Sequence, residues 1–109
     1  MPSVNIYTNE KNVDKLEKSI IYIKEFIAKK LSCDNRKVEA NEISIRIIVP
    51  SVSSTISETE IVMIAHSYPE RIQKQDEICL SIKNFIVSLH PSLKSTYVWL
   101  QLSELGHSE

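Results

Sequence analysis

Glycine is almost missing: Gly106 is the single one in 109 residues. Phosphate-cradling loops of the nucleotide-binding kinds need two or three glycines for close backbone approach, so they are excluded. Cysteine is nearly as scarce, and neither Cys33 nor Cys79 has a second Cys or a His nearby at metal-ligand spacing. The two read as reduced, helix-associated apolar fillers and point to a cytoplasmic location. A basic excess is also absent, since 13 Lys+Arg against 14 Asp+Glu give a formal net charge of -1. That balance argues against a dedicated nucleic-acid binder, which needs cations to displace counterions from phosphates. No apolar run approaches the roughly 20 residues of a membrane span, and the first residues lack the charged-then-apolar order of a signal peptide. No two histidines lie at a spacing that suggests a metal.

What remains is an ordinary globular composition, 42% hydrophobic, on a chain of one-domain length. One core fits, but a small one, so oligomerisation is a natural source of further buried surface. Ser3 to Thr8 alternates apolar and polar and reads as a strand. Asn12 is a plausible N-cap for a helix whose apolar face carries Leu16, Ile20, Ile23, Ile27 and Leu31, ending near Ser32. A polar connection over 34–41 leads to a strand over Ile43 to Val49, stopped by Pro50. After a Ser/Thr-rich loop over 51–57 comes a third strand, Glu60 to His66. Pro69 and Glu70 suit the first turn of a second helix, with Ile78, Ile82, Phe85 and Leu89 on one face and His90-Pro91 closing it. Thr96 to Leu102 is the fourth strand.

The order is β-α-β-β-α-β, a single α+β domain over 1–109 made of two halves, about 1–50 and 58–103. A crossover helix within each half implies parallel pairing there, so the four-stranded sheet is mixed and both helices cover one face. On the other face Ile48, Val62, Ile64 and Trp99 are too apolar for open solvent, and a second subunit is the expected cover.

Ferredoxin-like domains share this element order. The discriminating feature is Met1-Pro2 directly before the first strand. With the stretches Met1 to Asn9, Ile43 to Val49, Ile61 to Arg71 and Tyr97 to Leu105, the chain resembles the tautomerase superfamily. That superfamily includes macrophage migration inhibitory factor, 4-oxalocrotonate tautomerase and 5-carboxymethyl-2-hydroxymuconate isomerase. Two halves in one polypeptide match the long branches, and the ending Ser-Glu-Leu-Gly-His is similar to the hydroxymuconate isomerases.

The resemblance implies a homotrimer with sites at subunit boundaries, removal of Met1, and Pro2 as the catalytic acid/base. It also implies small 2-oxo or 2-hydroxy unsaturated acids as substrates and no cofactor. The chemistry is intelligible from first principles. A free α-amino group has a pKa of roughly 8, and a prolyl amine is more basic still. Burial and a nearby cation, here expected to be Arg46, both disfavour its ammonium form and bring it towards neutrality. The neutral amine can then take a proton beside a carbonyl and return it elsewhere on the enol. If Met1 stays attached, the Pro2 nitrogen is a tertiary amide and cannot do so.

Arg46 aligns with the strand arginine that the family uses for substrate carboxylates, although a strand arginine equally suits an interface ion pair. Arg71 follows Pro69-Glu70, where the hydroxymuconate-isomerase pattern has an arginine near the substrate; a solvated helix arginine is the other reading. Trp99 and Gln101 lie where the family brings an aromatic and an amide from an adjacent subunit, and Trp99 also fits plain interface packing. Ser67-Tyr68-Pro69 replaces the family's glycine-containing turn and puts Tyr68 within reach of a ligand. His66 reads as a structural histidine, His107 as part of a tail, and Glu58, Glu60, Glu70 and Glu77 as solvated charges. Two other classes remain open: a non-catalytic trimeric interaction protein of the same fold, and a ferredoxin-like ligand-binding domain.

Overall fold

The computed structural model describes residues 2–34 and 36–104, so the expectations placed on Met1, Gly106 and His107 lie outside the described residues. Alternation makes β1 (Ser3–Tyr7) two-faced: Val4 and Ile6 are fully buried while Ser3, Asn5 and Tyr7 face the other way. The chain continues through α1 (Glu10–Lys18), α2 (Ile20–Leu31), a 3₁₀ turn (Ala40–Glu42) and β2 (Ser44–Ile48). The second half supplies β3 (Thr59–His66), α3 (Pro69–Gln73), α4 (Gln75–Leu89), a 3₁₀ turn (Pro91–Leu93) and β4 (Thr96–Ser103). The sheet order is β2-β1-β3-β4, with β1/β2 and β3/β4 parallel and the central β1/β3 pair antiparallel. The mixed α+β sheet read from the sequence is therefore the one observed.

Each expected helix is split in two, and both splits have the same shape. Ser19 sits at φ -103°, ψ 6° and Lys74 at φ -106°, ψ 15°. At the first, the Ser19 N–H tightens to the Leu16 carbonyl at 3.2 Å, and its hydroxyl bonds back to the Lys15 carbonyl at 3.0 Å. A hydroxyl competing for helix carbonyls in this way distorts the turn. Leu16, Ile23, Ile27 and Leu31 enter the core on either side of the split, but Ile20, expected on that face, is only partly buried, and at the split Ser19 is the buried residue. The first helix also starts earlier than expected, with Asn9 rather than Asn12 as its N-cap.

In the second half, Ile78, Ile82 and Ile86 face the core, and Phe85 stacks on Phe26 at 4.1 Å between ring centroids. Leu89, expected on that face, is 37% exposed and lies outside the core, and Ile86 takes the place assigned to it. The helices meet Val4, Ile6, Ile61, Met63, Ala65 and Leu100 from one face of the sheet. Complete burial of each large aliphatic side chain contributes about 1.5–3 kcal/mol. The opposite face carries the cross-strand rows Arg46–Asn5–Val62–Trp99 and Ser44–Ser3–Ile64–Gln101. On it Trp99 is 51% exposed, and the buried Oδ1 of Asn5 has no hydrogen-bond partner among the described residues.

At the far end of β1 a polar network closes the core. Thr8 and Thr59 share a hydroxyl hydrogen bond of 2.9 Å, and both are buried. The Asn12 amide donates to Thr8 Oγ1 at 3.0 Å and to Glu58 Oε1 at 3.1 Å. Lys11 then neutralises Glu58 at 3.1 Å. Glu58 is thus a bonded member of the network rather than a merely solvated charge.

Candidate active site

Pro2 precedes β1 at the other end of the sheet and is buried. Its carbonyl accepts the Ser44 N–H at 3.2 Å, which fixes the start of the chain against β2. Because β3 runs antiparallel to β1, its last residue, His66, comes to the same end. From there Ser67 and Tyr68 turn into α3, whose first residue Pro69 brings the preset φ and missing N–H that a first helical turn tolerates. Arg71 is thereby swung under the end of the sheet, where it is only 3% exposed.

The Arg71 fork is held from two sides. Its Nε donates to the Leu31 carbonyl at the end of α2 (2.8 Å), and its Nη1 donates to the His66 carbonyl at the end of β3 (2.9 Å). The guanidinium lies 4.9 Å from the centre of the Tyr68 ring, a cation–π distance, and Tyr68 meets the His66 ring edge-on at 4.8 Å. Arg36 reaches the same place by a chain reversal after α2, closed by paired backbone bonds between Cys33 and Arg36. Its guanidinium pairs with Glu42 and also donates to the Lys37 carbonyl. Together Pro2, Arg36, Val38, His66, Tyr68 and Arg71 line a cavity of about 70 Å³.

Electrostatics give this cavity its character. Among the described residues no carboxylate lies within ion-pair distance of Arg71. Burial pushes its pKa below the ordinary arginine value, outweighing the opposing influence of Cys33 and Tyr68, and the Arg36 cation adds a smaller push in the same downward direction. An arginine stays protonated even so. Hydrogen bonding and charge from Arg36 hold Glu42 below the usual carboxylate range, so that acid is committed to its partner. The result is a cavity with a buried positive charge that has no counter-ion among the described residues. Such a place favours an anion and disfavours an ammonium group.

Of the residues singled out from sequence, the structure brings Pro2, Tyr68 and Arg71 together. Arg71 is buried, which removes the solvated-helix reading. Arg46, Trp99 and Gln101 lie elsewhere, on the outer sheet face. Arg46 stands beside Asn5, three residues or about 10 Å along the strand from Pro2. Trp99 donates from Nε1 to Glu60 Oε2 at 3.3 Å. Sequence reasoning did not reach Arg36 or His66 as cavity residues. The polar connection holding Arg36 has no periodicity, and only the Cys33–Arg36 reversal carries it back. His66 could have been found from register, since the last residue of β3 must end beside the residue that precedes β1.

A scan against protein-family models finds no match, and neither does a search of curated proteins. Solved structures are more informative. A fused 4-OT wild-type asymmetric trimer matches at TM-score 0.71 and 13% identity, over 97% of this chain and 92% of that one. A protein of unknown function from Vibrio cholerae matches at 0.69 and 14% identity, covering 94% and 78%. A macrophage migration inhibitory factor-like protein from Entamoeba histolytica matches at 0.64 and 9% identity, covering 99% and 96%. The chain therefore shares the fold of these fused 4-OT and migration-inhibitory-factor-like structures along nearly its whole length.

Proposed function

We propose that the chain, once Met1 is removed, is a cofactor-independent isomerase that interconverts keto and enol, or double-bond, isomers of small 2-oxo or 2-hydroxy unsaturated acids. The observation that carries this reading is the pairing of Pro2 with a buried guanidinium, which no carboxylate among the described residues neutralises, around one small cavity. Release of Met1 turns the Pro2 nitrogen into a secondary amine at the cavity wall. Burial there and the charges of Arg71 and Arg36 disfavour its protonation. The neutral amine takes a proton from the carbon beside the substrate carbonyl, and the electron pair moves to make the enolate. The resulting prolinium then returns that proton to oxygen or to a more distant carbon, so the step closes without another reactant. Arg71, with Tyr68 against it, is the seat for the substrate carboxylate or the enolate oxygen.

The reading includes a homotrimer joined through the outer sheet faces, with sites at subunit boundaries. The exposed Trp99 and the unpartnered Asn5 Oδ1 favour such a cover, and the fused 4-OT that shares the fold is itself a trimer. In that assembly Arg46, Trp99 and Gln101 serve the site of a neighbouring protomer. A cytoplasmic setting, consistent with two unpaired thiols, belongs to the same proposal.

Three measurements test it. Intact mass reports whether Met1 is gone, and an enol–keto absorbance assay with phenylpyruvate compares the chain with Pro2→Ala. The expected loss is about 10²-fold or more. Equal rates would remove the amine from the mechanism and leave a non-catalytic protein of this fold. Sedimentation as a monomer would overturn the assembly.

A further inference from the structure

The cavity around Pro2 is not the only one that borders Arg71. On the helix side, where the end of α2 meets α3 and the start of α4, a cleft of about 190 Å³ is lined by Lys29, Lys30, Cys33, Arg71 and Lys74 among others. Two carboxylates and two serines also line it, Glu70 and Glu77 with Ser32 and Ser81. The four cations exceed the two carboxylates in a chain whose overall formal charge is -1. Glu70 is already engaged, accepting the Asp34 N–H at 3.2 Å and standing 3.9 Å from Lys74. Lys30 lies over the Phe26 ring at 5.4 Å, which holds its stem against the helix.

We infer that this helix-side cleft binds a small phosphate-bearing anion, at a site separate from the Pro2 cavity. The donor set decides between anion classes. On this side of Arg71 three lysines, Lys29, Lys30 and Lys74, outnumber the one guanidinium, so ammonium groups supply most of the donors. The lysine ammonium groups are compact charges with rotating donors, which suit tetrahedral phosphate oxygens. The cleft is also more than twice the size of the Pro2 cavity, at about 190 against 70 Å³. Ser32 is not part of the anion's contacts, because its hydroxyl donates to the Ala28 carbonyl at 2.8 Å and accepts the Val38 N–H at 2.9 Å. The inference stands whether or not the chain turns over a keto acid.

Titration of the isotopically labelled full chain with inorganic pyrophosphate, followed by amide shifts, tests it. Saturable shifts are expected over residues 29–33 and 70–81, and they should persist in Pro2→Ala. Exposed Lys29 and Lys74 can be changed without touching the core, and the Lys29→Gln/Lys74→Gln pair should weaken binding about tenfold. The inference is overturned by shifts that never saturate, by binding unchanged in the lysine pair, or by binding lost in Pro2→Ala. The last outcome would place the anion in the Pro2 cavity and would leave the isomerase reading intact. Pyrophosphate binding as expected, with phenylpyruvate turnover absent, would instead sink the isomerase reading alone.

Discussion

The two ends of the central strand pair treat buried polarity in opposite ways. At the Thr8–Thr59 end, Asn12 and Glu58 are matched donor to acceptor, and Lys11 neutralises the carboxylate from outside. At the Pro2 end a guanidinium is taken out of water and given backbone carbonyls and the Tyr68 ring, with no carboxylate partner among the described residues. A closed network specifies geometry and stabilises it. An open charge, by contrast, retains an unmet demand for an anion, which is what a binding site requires. Both ends belong to the same short strands, so the difference is set by side-chain chemistry and not by the fold.

Substitutions at each end should therefore separate activity from stability. The largest effect is expected for Pro2→Ala: a fall of about 10²-fold or more in phenylpyruvate turnover, with the melting temperature little changed. Next comes Arg71→Met, which strips the Leu31 and His66 carbonyls of their donor. A loss of about 2–4 kcal/mol in urea unfolding is expected, together with turnover. A smaller effect, confined to stability, is expected at the other end. Thr59→Val deletes the hydroxyl opposite Thr8 and should cost about 1–3 kcal/mol in the same unfolding experiment while leaving turnover untouched. Turnover lost in Thr59→Val would break the contrast between the two ends.

The smallest effect is a pH dependence. Hydrogen bonds from Asn12, then from Lys11 and Asn9, hold the Glu58 carboxyl below its ordinary value. A carboxyl depressed in the fold contributes stability above its unfolded pKa, and that contribution is lost as pH falls through the folded value. Melting temperature should thus drop below about pH 4.5, and more steeply in the native chain than in Glu58→Gln. Parallel acid profiles for the two would detach Glu58 from the network.

Much of the scaffold was readable from period alone. The two-residue alternation in Ser3–Tyr7 and the three-and-four spacing of Leu16, Ile23, Ile27 and Leu31 settle strand, helix and buried face together. The first helix split was hidden for the same reason, since the spacing of Leu16, Ile20 and Ile23 runs past Ser19 without a gap in the sequence and only its back-bonded hydroxyl marks the spot. Asn12 suggested a cap because its side chain seeks hydrogen bonds, but those bonds run across the chain to Thr8 and Glu58. Pro2, Tyr68 and Arg71 could be named from motif and order. Arg36 could not, because its arrival depends on a reversal between Cys33 and Arg36 whose bonds are all backbone.

Trp99 is the single tryptophan of the chain and stands half in solvent on the uncovered sheet face. The molecule thus carries its own optical gauge of association. Indole emission should move to the blue as copies close over that face and back to the red on dilution, with no label attached.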